Sequence, residues 1–303
     1  MHNAQIEIAN KHIRRVTYLS VAVNLLLAVL KIAVGFIAHS MSLVADGIHS
    51  FSDLVTDAAV LLGVYIGSKE ADDEHPYGHG RFETFATIFI AAVLIVVGGI
   101  MIQRAGVSIG KSMGGEGVIC QANILVLLAA GLSVLCKEGL YWITKSAAVR
   151  WHSTTLYANA WHHRSDSLSS VAVILGFVSL KLGYAYGDQV ATIAVGLLII
   201  LVGIRVLSKC IEELSEGAVD SATVEQIRTI VGSETRIRQW HKLRTRNVGR
   251  EVFLDMHILV DPALNIRQAH EIAESLETAL HEQIPRPVNI TVHIEPDEPE
   301  LRK

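Results

Sequence analysis

MSLVADGIHSFSDLVTDAAVLLGVYIGS, residues 41–68, is apolar enough to cross a bilayer, yet it carries Asp46, His49, Asp53 and Asp57. Roughly 20 mainly apolar residues span about 30 Å of hydrocarbon as a helix. An ionisable group at that depth is costly and calls for a partner or a task. The stretch therefore implies both a chain that lives in lipid and a site inside it. His49 and Asp53 are four apart, so a helix stacks them on one face with Cβ atoms about 5–6 Å apart. NAWHHRSDSLSS, residues 159–170, repeats the HxxxD spacing at His162 and Asp166 within another apolar stretch. Brought together, the two faces offer two imidazole nitrogens and two carboxylate oxygens, a complete tetrahedral set for a borderline divalent cation such as Zn²⁺. One HxxxD alone reads as a buried hydrogen-bonded pair. Two copies in two lipid-crossing helices leave four ionisable groups to be buried, and a metal accounts for them. Asp53 falls near the middle of its stretch, which places the expected site near mid-membrane. Asp46 and Asp57 continue the stripe at −3 and +4 but lie nearer the ends, and read equally well as ligands and as water-facing or capping residues. His163 is rotated about 100° from His162 and is left out of the set. Lys31, Lys137 and Glu138 read as interhelical polar contacts.

Working outward, six stretches meet the length criterion: residues 16–38, 41–68, 84–103, 118–144, 155–182 and 186–207. The first is too long for a signal-peptide core and is expected to stay in the membrane. Lys11, Arg14 and Arg15 precede it, Lys69 and Arg81 follow the second, Lys145 and Arg150 follow the fourth, and Arg205 and Lys209 close the sixth. Positive residues are retained on the cytoplasmic side, so both termini are expected there. Only 18% of the 303 residues are charged and the net charge is −4, which excludes a disordered chain and a basic nucleic-acid-binding domain. Cys120, Cys136 and Cys210 form no CxxC pair, so metal ligands are His and carboxylate.

From residue 210 hydrophobic runs shorten and charge rises, dividing a transport domain, 1–209, from a water-soluble domain, 210–303. Residues 221–231 read as a helix with Ser221 as N-cap; 237–246 and 251–260 alternate like antiparallel strands joined at 247–249; 265–284 reads as a helix and 288–295 as a strand. The order αββαβ predicts an α+β sandwich with helices on one face of a three-stranded sheet.

The segments ADGIHSFSD (45–53), ADDEHPYGHGRFE (71–83) and NAWHHRSDSLSS (159–170) resemble the signature of the cation diffusion facilitators, and the likeness covers the whole chain. The resemblance is to bacterial zinc/proton antiporters of that family. It implies six transmembrane helices with a ferredoxin-like cytoplasmic tail, in a homodimer of the inner cell membrane that exports divalent metal in exchange for protons. The family's intramembrane site maps onto His49, Asp53, His162 and Asp166. Where His49 stands, the best-studied bacterial exporters carry Asp; the two-His, two-Asp set looks like that of zinc-preferring animal members. A second family site maps onto Asp72, His75 and His79. On its own residues that loop is a capture point or a solvated polar turn. The tail positions map onto His241, His257, His270, His293 and, where the family has Asp, Glu295, with Zn²⁺ there structural or regulatory. Arg81 stands where the family has a basic residue in a charge interlock, with Glu216 as candidate partner. His2, His12, His152 and His281 are expected to be solvated.

Metal ligands must be deprotonated, and an unperturbed histidine titrates near pH 6.5, so metal and protons compete for the same atoms. This is the expected source of antiport through alternating access. Efflux of Fe²⁺, Cd²⁺ or Mn²⁺ by the same route remains open, as does a non-transporting sensor or scaffold. A metalloenzyme is disfavoured: HExxH is absent, and His270-Glu271 and His281-Glu282 lack the second His at the required spacing.

Overall fold

A computed structural model describes residues 2–37, 41–113, 124–181 and 187–302, together with most of their side chains. Six long helices come first: α1 (His2–Ile37), α2 (Met41–Gly67), α3 (Arg81–Met113), α4 (Ile124–Arg150), α5 (Thr154–Lys181) and α6 (Gly187–Leu214). Then follow α7 (Ser221–Ser233), β1 (Gln239–Val248), β2 (Glu251–Val260), α8 (Ile266–Gln283) and β3 (Val288–Pro296). The chain divides into two compact units, one of Asn10–Gly67 and Phe82–Cys210, the other of Ser68–Arg81 and Ile211–Lys303 with Met1–Ala9. Loop 68–81 thus belongs with the tail. Neither Cys136 nor Cys210 is in a disulfide among the described residues. Cys120 and the side chains of His2, Asp46 and His49 lie outside the description.

Among the described residues, three helical stretches are long and apolar enough to cross a bilayer: Glu7–Ile37, Arg81–Gly110 and Gln189–Leu214. Six had been expected. The other three long helices carry ionisable residues at mid-length, with Asp53 and Asp57 in α2, Lys137 and Glu138 in α4, and His162, His163 and Asp166 in α5. The helices that miss the apolar criterion are thus the ones that carry the candidate site. In the helical unit, Ile13, Val60, Ile90, Leu156 and Val206 bury one shared core, while Leu26, Leu62, Val96 and Leu201 stay exposed on the outside, as lipid-facing positions do. α3 and α6 approach closely at paired glycines. A Cβ on Gly98 would stand 2.7 Å from the Gly196 carbonyl oxygen, so no larger residue fits that crossing.

The tail sheet has the order β1-β2-β3, with β1 antiparallel and β3 parallel to β2. Val252, Leu254, Met256, Ile258 and Val260 alternate along β2 and bury one face against Ile227, Ile230 and Val231 of α7 and Ile272, Ala273, Leu276 and Leu280 of α8. The helices cover that face only. α8 opens with a capping box between Asn265 and Gln268. α7 is capped by Asp220, whose side chain accepts from the Thr223 amide at 3.0 Å. Ser221 had been expected in that role. Both residue types cap well, and the extended backbone at 220 decides between them.

The hairpin turns at Gly249 and Arg250, one step later than the pattern suggests, with Gly249 at φ +58. The turn is also packed. A Cβ on Gly249 would stand 2.7 Å from the Gly80 carbonyl oxygen, which leaves loop 68–81 backbone to backbone with the hairpin. A β-bulge interrupts β1 between His241 and Arg244, with Lys242 at φ 51. Bulges re-aim side chains, and this one sets His241 opposite His257.

Candidate metal centres

Helical periodicity puts Asp53 of α2 and both His162 and Asp166 of α5 on facing stripes. One ligand atom from each lies within 4.8 Å of the others. His162 Nε2 is 3.4 Å from Asp53 Oδ1 and 3.9 Å from Asp166 Oδ2. Asp53 and His162 are buried, and neither Asp53 Oδ1 nor His162 Nε2 has a hydrogen-bond partner. Buried polar atoms almost always find one. Two orphans facing each other suit a cation that would bind both. The hydroxyls of Thr56, Ser165 and Ser170 bond back to the carbonyls of Asp53, His162 and Asp166 at 2.7, 2.7 and 3.1 Å, which keeps them out of the cage. His49 lies on α2 one turn before Asp53, with its side chain outside the description.

Lys137 of α4 was not among the expected site residues. Its Nζ lies 2.5 Å from Asp53 Oδ2 and 2.9 Å from Asp166 Oδ2. A sequence signal existed: two acids at bilayer depth need positive charge, and Lys137 sits at mid-helix. What the sequence does not say is which helix faces which.

Asp57 is fully buried, which removes the water-facing alternative. Ser20 Oγ donates to it at 2.9 Å, and the amides of Asn24 and Asn159 at 2.8 Å each. His163 belongs to this second polar cluster, with Nε2 2.9 Å from Ser20 Oγ. Polar residues of α1 and α5 thus enclose this carboxylate of α2. His12, expected to be solvated, accepts from Trp151 Nε1 at 2.7 Å.

In loop 68–81, Asp72 Oδ1 accepts from the backbone amides of His75 and Glu74 at 2.7 and 3.1 Å. This Asx turn brings His75 Nδ1 within 3.6 Å and His79 Nε2 within 3.5 Å of the carboxylate. The His75 amide, helped by the two imidazoles, holds the Asp72 carboxyl below the usual range. An ionised acid between two imidazoles can ligate a divalent ion. Arg81 closes the loop, donating to the Glu213 carbonyl at 2.6 Å and pairing with Glu216, which also meets Arg246 at 3.0 Å.

On the tail sheet, register places His241, His257 and His293 side by side across the three strands, on the face opposite the helices. Glu295, two residues after His293, reaches back among them. Its carboxylate is 2.7 Å from His257 Nδ1, 3.2 Å from His241 Nε2 and 3.7 Å from His293 Nε2. The His257 ring nitrogen holds the Glu295 carboxyl below its ordinary value. His241, His257 and Glu295 offer ligand atoms within 4.8 Å of one another. His270 is not brought to them. It stands exposed on α8, 3.5 Å from Glu274.

The chain has relatives throughout its length. Residues 17–215 match the cation efflux transmembrane domain and residues 219–297 the cation efflux protein, cytoplasmic domain. Metal tolerance protein C1 of Arabidopsis thaliana is 32% identical over 97% of this chain, which spans 65% of that protein's length. Metal tolerance protein 2 of Oryza sativa is 32% identical over 95% of this chain and 79% of its own. The manganese efflux system protein MneP of Bacillus subtilis is 27% identical over 93% of this chain and 96% of its own. With both of the family's domains matched in order over most of its residues, the chain belongs to the cation efflux proteins, the cation diffusion facilitators.

Proposed function

We propose that this chain exports Zn²⁺ from the cytoplasm in exchange for protons, by alternating access at an intramembrane site of His49, Asp53, His162 and Asp166. The observation that carries this reading is the triad of Asp53, His162 and Asp166, the first two buried and each with an unpartnered ligand atom. Imidazole in the donor set favours Zn²⁺ over harder ions. Exchange follows from ligand chemistry: a proton and a metal ion cannot occupy the same nitrogen or oxygen lone pair. Mn²⁺ is the second reading, supported by the two carboxylates and by the manganese efflux relative.

The architecture that serves this function is a homodimer in the inner membrane, each protomer with six spans in residues 1–209 and both termini in the cytoplasm. Asp72, His75 and His79 act as a capture site on the cytoplasmic side. Residues 210–303 bind metal through His241, His257, His293 and Glu295, with His270 offered to a second ligand set. Arg81 and Glu216 form the charge interlock at the membrane boundary. The test uses vesicles reconstituted with the protein and loaded with a pH dye and a metal dye. Zn²⁺ entering the lumen should drive protons out. Metal uptake with no pH change refutes antiport, and no uptake of Zn²⁺ or Mn²⁺ refutes transport.

A further inference from the structure

The carboxylates of the candidate intramembrane site do not face only the histidine. Lys137 is 1% exposed and bridges Asp53 Oδ2 and Asp166 Oδ2 from a third helix. An ion pair that merely fastens α4 to α2 and α5 is the plain reading, and two features go beyond it. Asp166 Oδ2, the oxygen that Lys137 holds, is the same atom that stands 3.9 Å from His162 Nε2 and completes the triad. The other two triad atoms, His162 Nε2 and Asp53 Oδ1, are left without a hydrogen bond beside the ammonium. The lysine therefore holds one of the atoms a metal would need and leaves the others exposed to it. A lysine ammonium is a compact charge on a flexible stem with three rotatable donors, so it can give up these oxygens without moving the backbone.

Given the transport site proposed above, we infer that Lys137 is a built-in competing cation, contending with the transported ion for the carboxylates of Asp53 and Asp166. An ion that displaces the ammonium must break two charge-assisted hydrogen bonds, and one that shares the site is repelled at close range. Either way the ion is held less tightly than by the same donors without the lysine, and it leaves sooner. The competition falls on oxygen and not on nitrogen. Ions that depend on carboxylates, such as Mn²⁺, lose more than ions that gain from imidazole, such as Zn²⁺. Lys137 thereby sets both affinity and metal preference.

The test measures Zn²⁺ and Mn²⁺ binding calorimetrically at one fixed pH. It uses the full chain in lipid nanodiscs, with the loop and tail sites removed by His75→Ala, His79→Ala, His241→Ala and His257→Ala. In this background Lys137→Met should tighten Zn²⁺ by roughly tenfold or more, slow its release to a chelator in proportion, and tighten Mn²⁺ further still. Lys137→Arg should stay near the parent. Asp53→Ala provides the separate check. If the parent shows no Asp53-dependent binding, the transport-site reading itself falls. If binding depends on Asp53 but Lys137→Met leaves it unchanged or weaker, the lysine inference alone is overturned. Should Lys137→Met fail to elute as a single folded species, Lys137→Gln is read by the same criteria. If neutral substitutions fail to fold while Lys137→Arg folds, the residue is a structural ion pair and the inference is overturned.

Discussion

Replacing Asp53 by Asn keeps the shape of the side chain and removes one charge from the buried cluster. The carboxylates of Asp53 and Asp166 and the Lys137 ammonium, bonded at 2.5 and 2.9 Å, together carry one net negative charge. In Asp53→Asn they carry none. For a divalent ion about 4 Å from the lost charge, each unit of its own charge forfeits about 4 kcal/mol at an effective dielectric of 20. Relaxation and the remaining donors offset part of this. A net loss of about 4 kcal/mol is a reasonable scale, or a roughly thousandfold weaker site. The lysine then swings wholly to Asp166 and removes a second ligand oxygen. The assay is the initial rate of Zn²⁺ uptake into reconstituted vesicles across a concentration series. Uptake by Asp53→Asn should be undetectable at concentrations that saturate the parent. Transport within about threefold of the parent would refute the assignment of Asp53 as a ligand, because no single-charge loss at that distance is so small.

Glu295→Gln should strip metal from the tail without unfolding it, since the amide keeps the bond to the His257 ring but not the charge; equilibrium dialysis of the full chain checks this. The folded-state Glu295 carboxyl lies below its ordinary value, so its contribution to stability is present above the unfolded value and lost as pH falls through the folded one. Thermal scans from neutral to acid should therefore show a decline in the parent that is shallower in Glu295→Gln. Asp72→Asn should keep the turn at the Glu74 and His75 amides yet lose metal at the loop, whereas Asp72→Ala should lose both, read by limited proteolysis with and without Zn²⁺. Leu254→Ala removes a side chain that is 1% exposed between sheet and helices, and should lower stability by about 3 kcal/mol. A thermal midpoint unchanged from the parent would place the tail core elsewhere. Gly98→Val puts a Cβ about 2.7 Å from the Gly196 carbonyl oxygen and should abolish expression of folded protein, while Gly99→Ala, with open space around it, should not.

The HxxxD spacings were legible because helix geometry is local: four residues apart means one face, whatever the helix packs against. The tail topology was legible for a similar reason, since alternation along residues 251–260 marks a strand and its buried face. Lys137 was legible as an interhelical contact but its partners were not, because they depend on which faces of α2, α4 and α5 meet, and no local pattern encodes that. The choice among the roles open to Asp57 was not legible, because its partners Ser20 and Asn24 are more than thirty residues away. The three-histidine row was partly legible. His241, His257 and His293 came from the likeness to the family, but the exact pairing of His241 with His257 sits beside an irregularity between His241 and Arg244 that β-propensity does not foresee. His270 had only its likeness to the family to recommend it.

The contact between Gly80 and Gly249 leaves no slack. With a backbone oxygen where a side chain would otherwise act as a spacer, the histidine loop and the sheet hairpin cannot slide past each other without first separating. Tyr77 lies edge-on to Phe253 beneath the Arg246 guanidinium and closes the same seam from the side. The two histidine clusters consequently share one compact unit, so that a tilt imposed on either is passed on to the other.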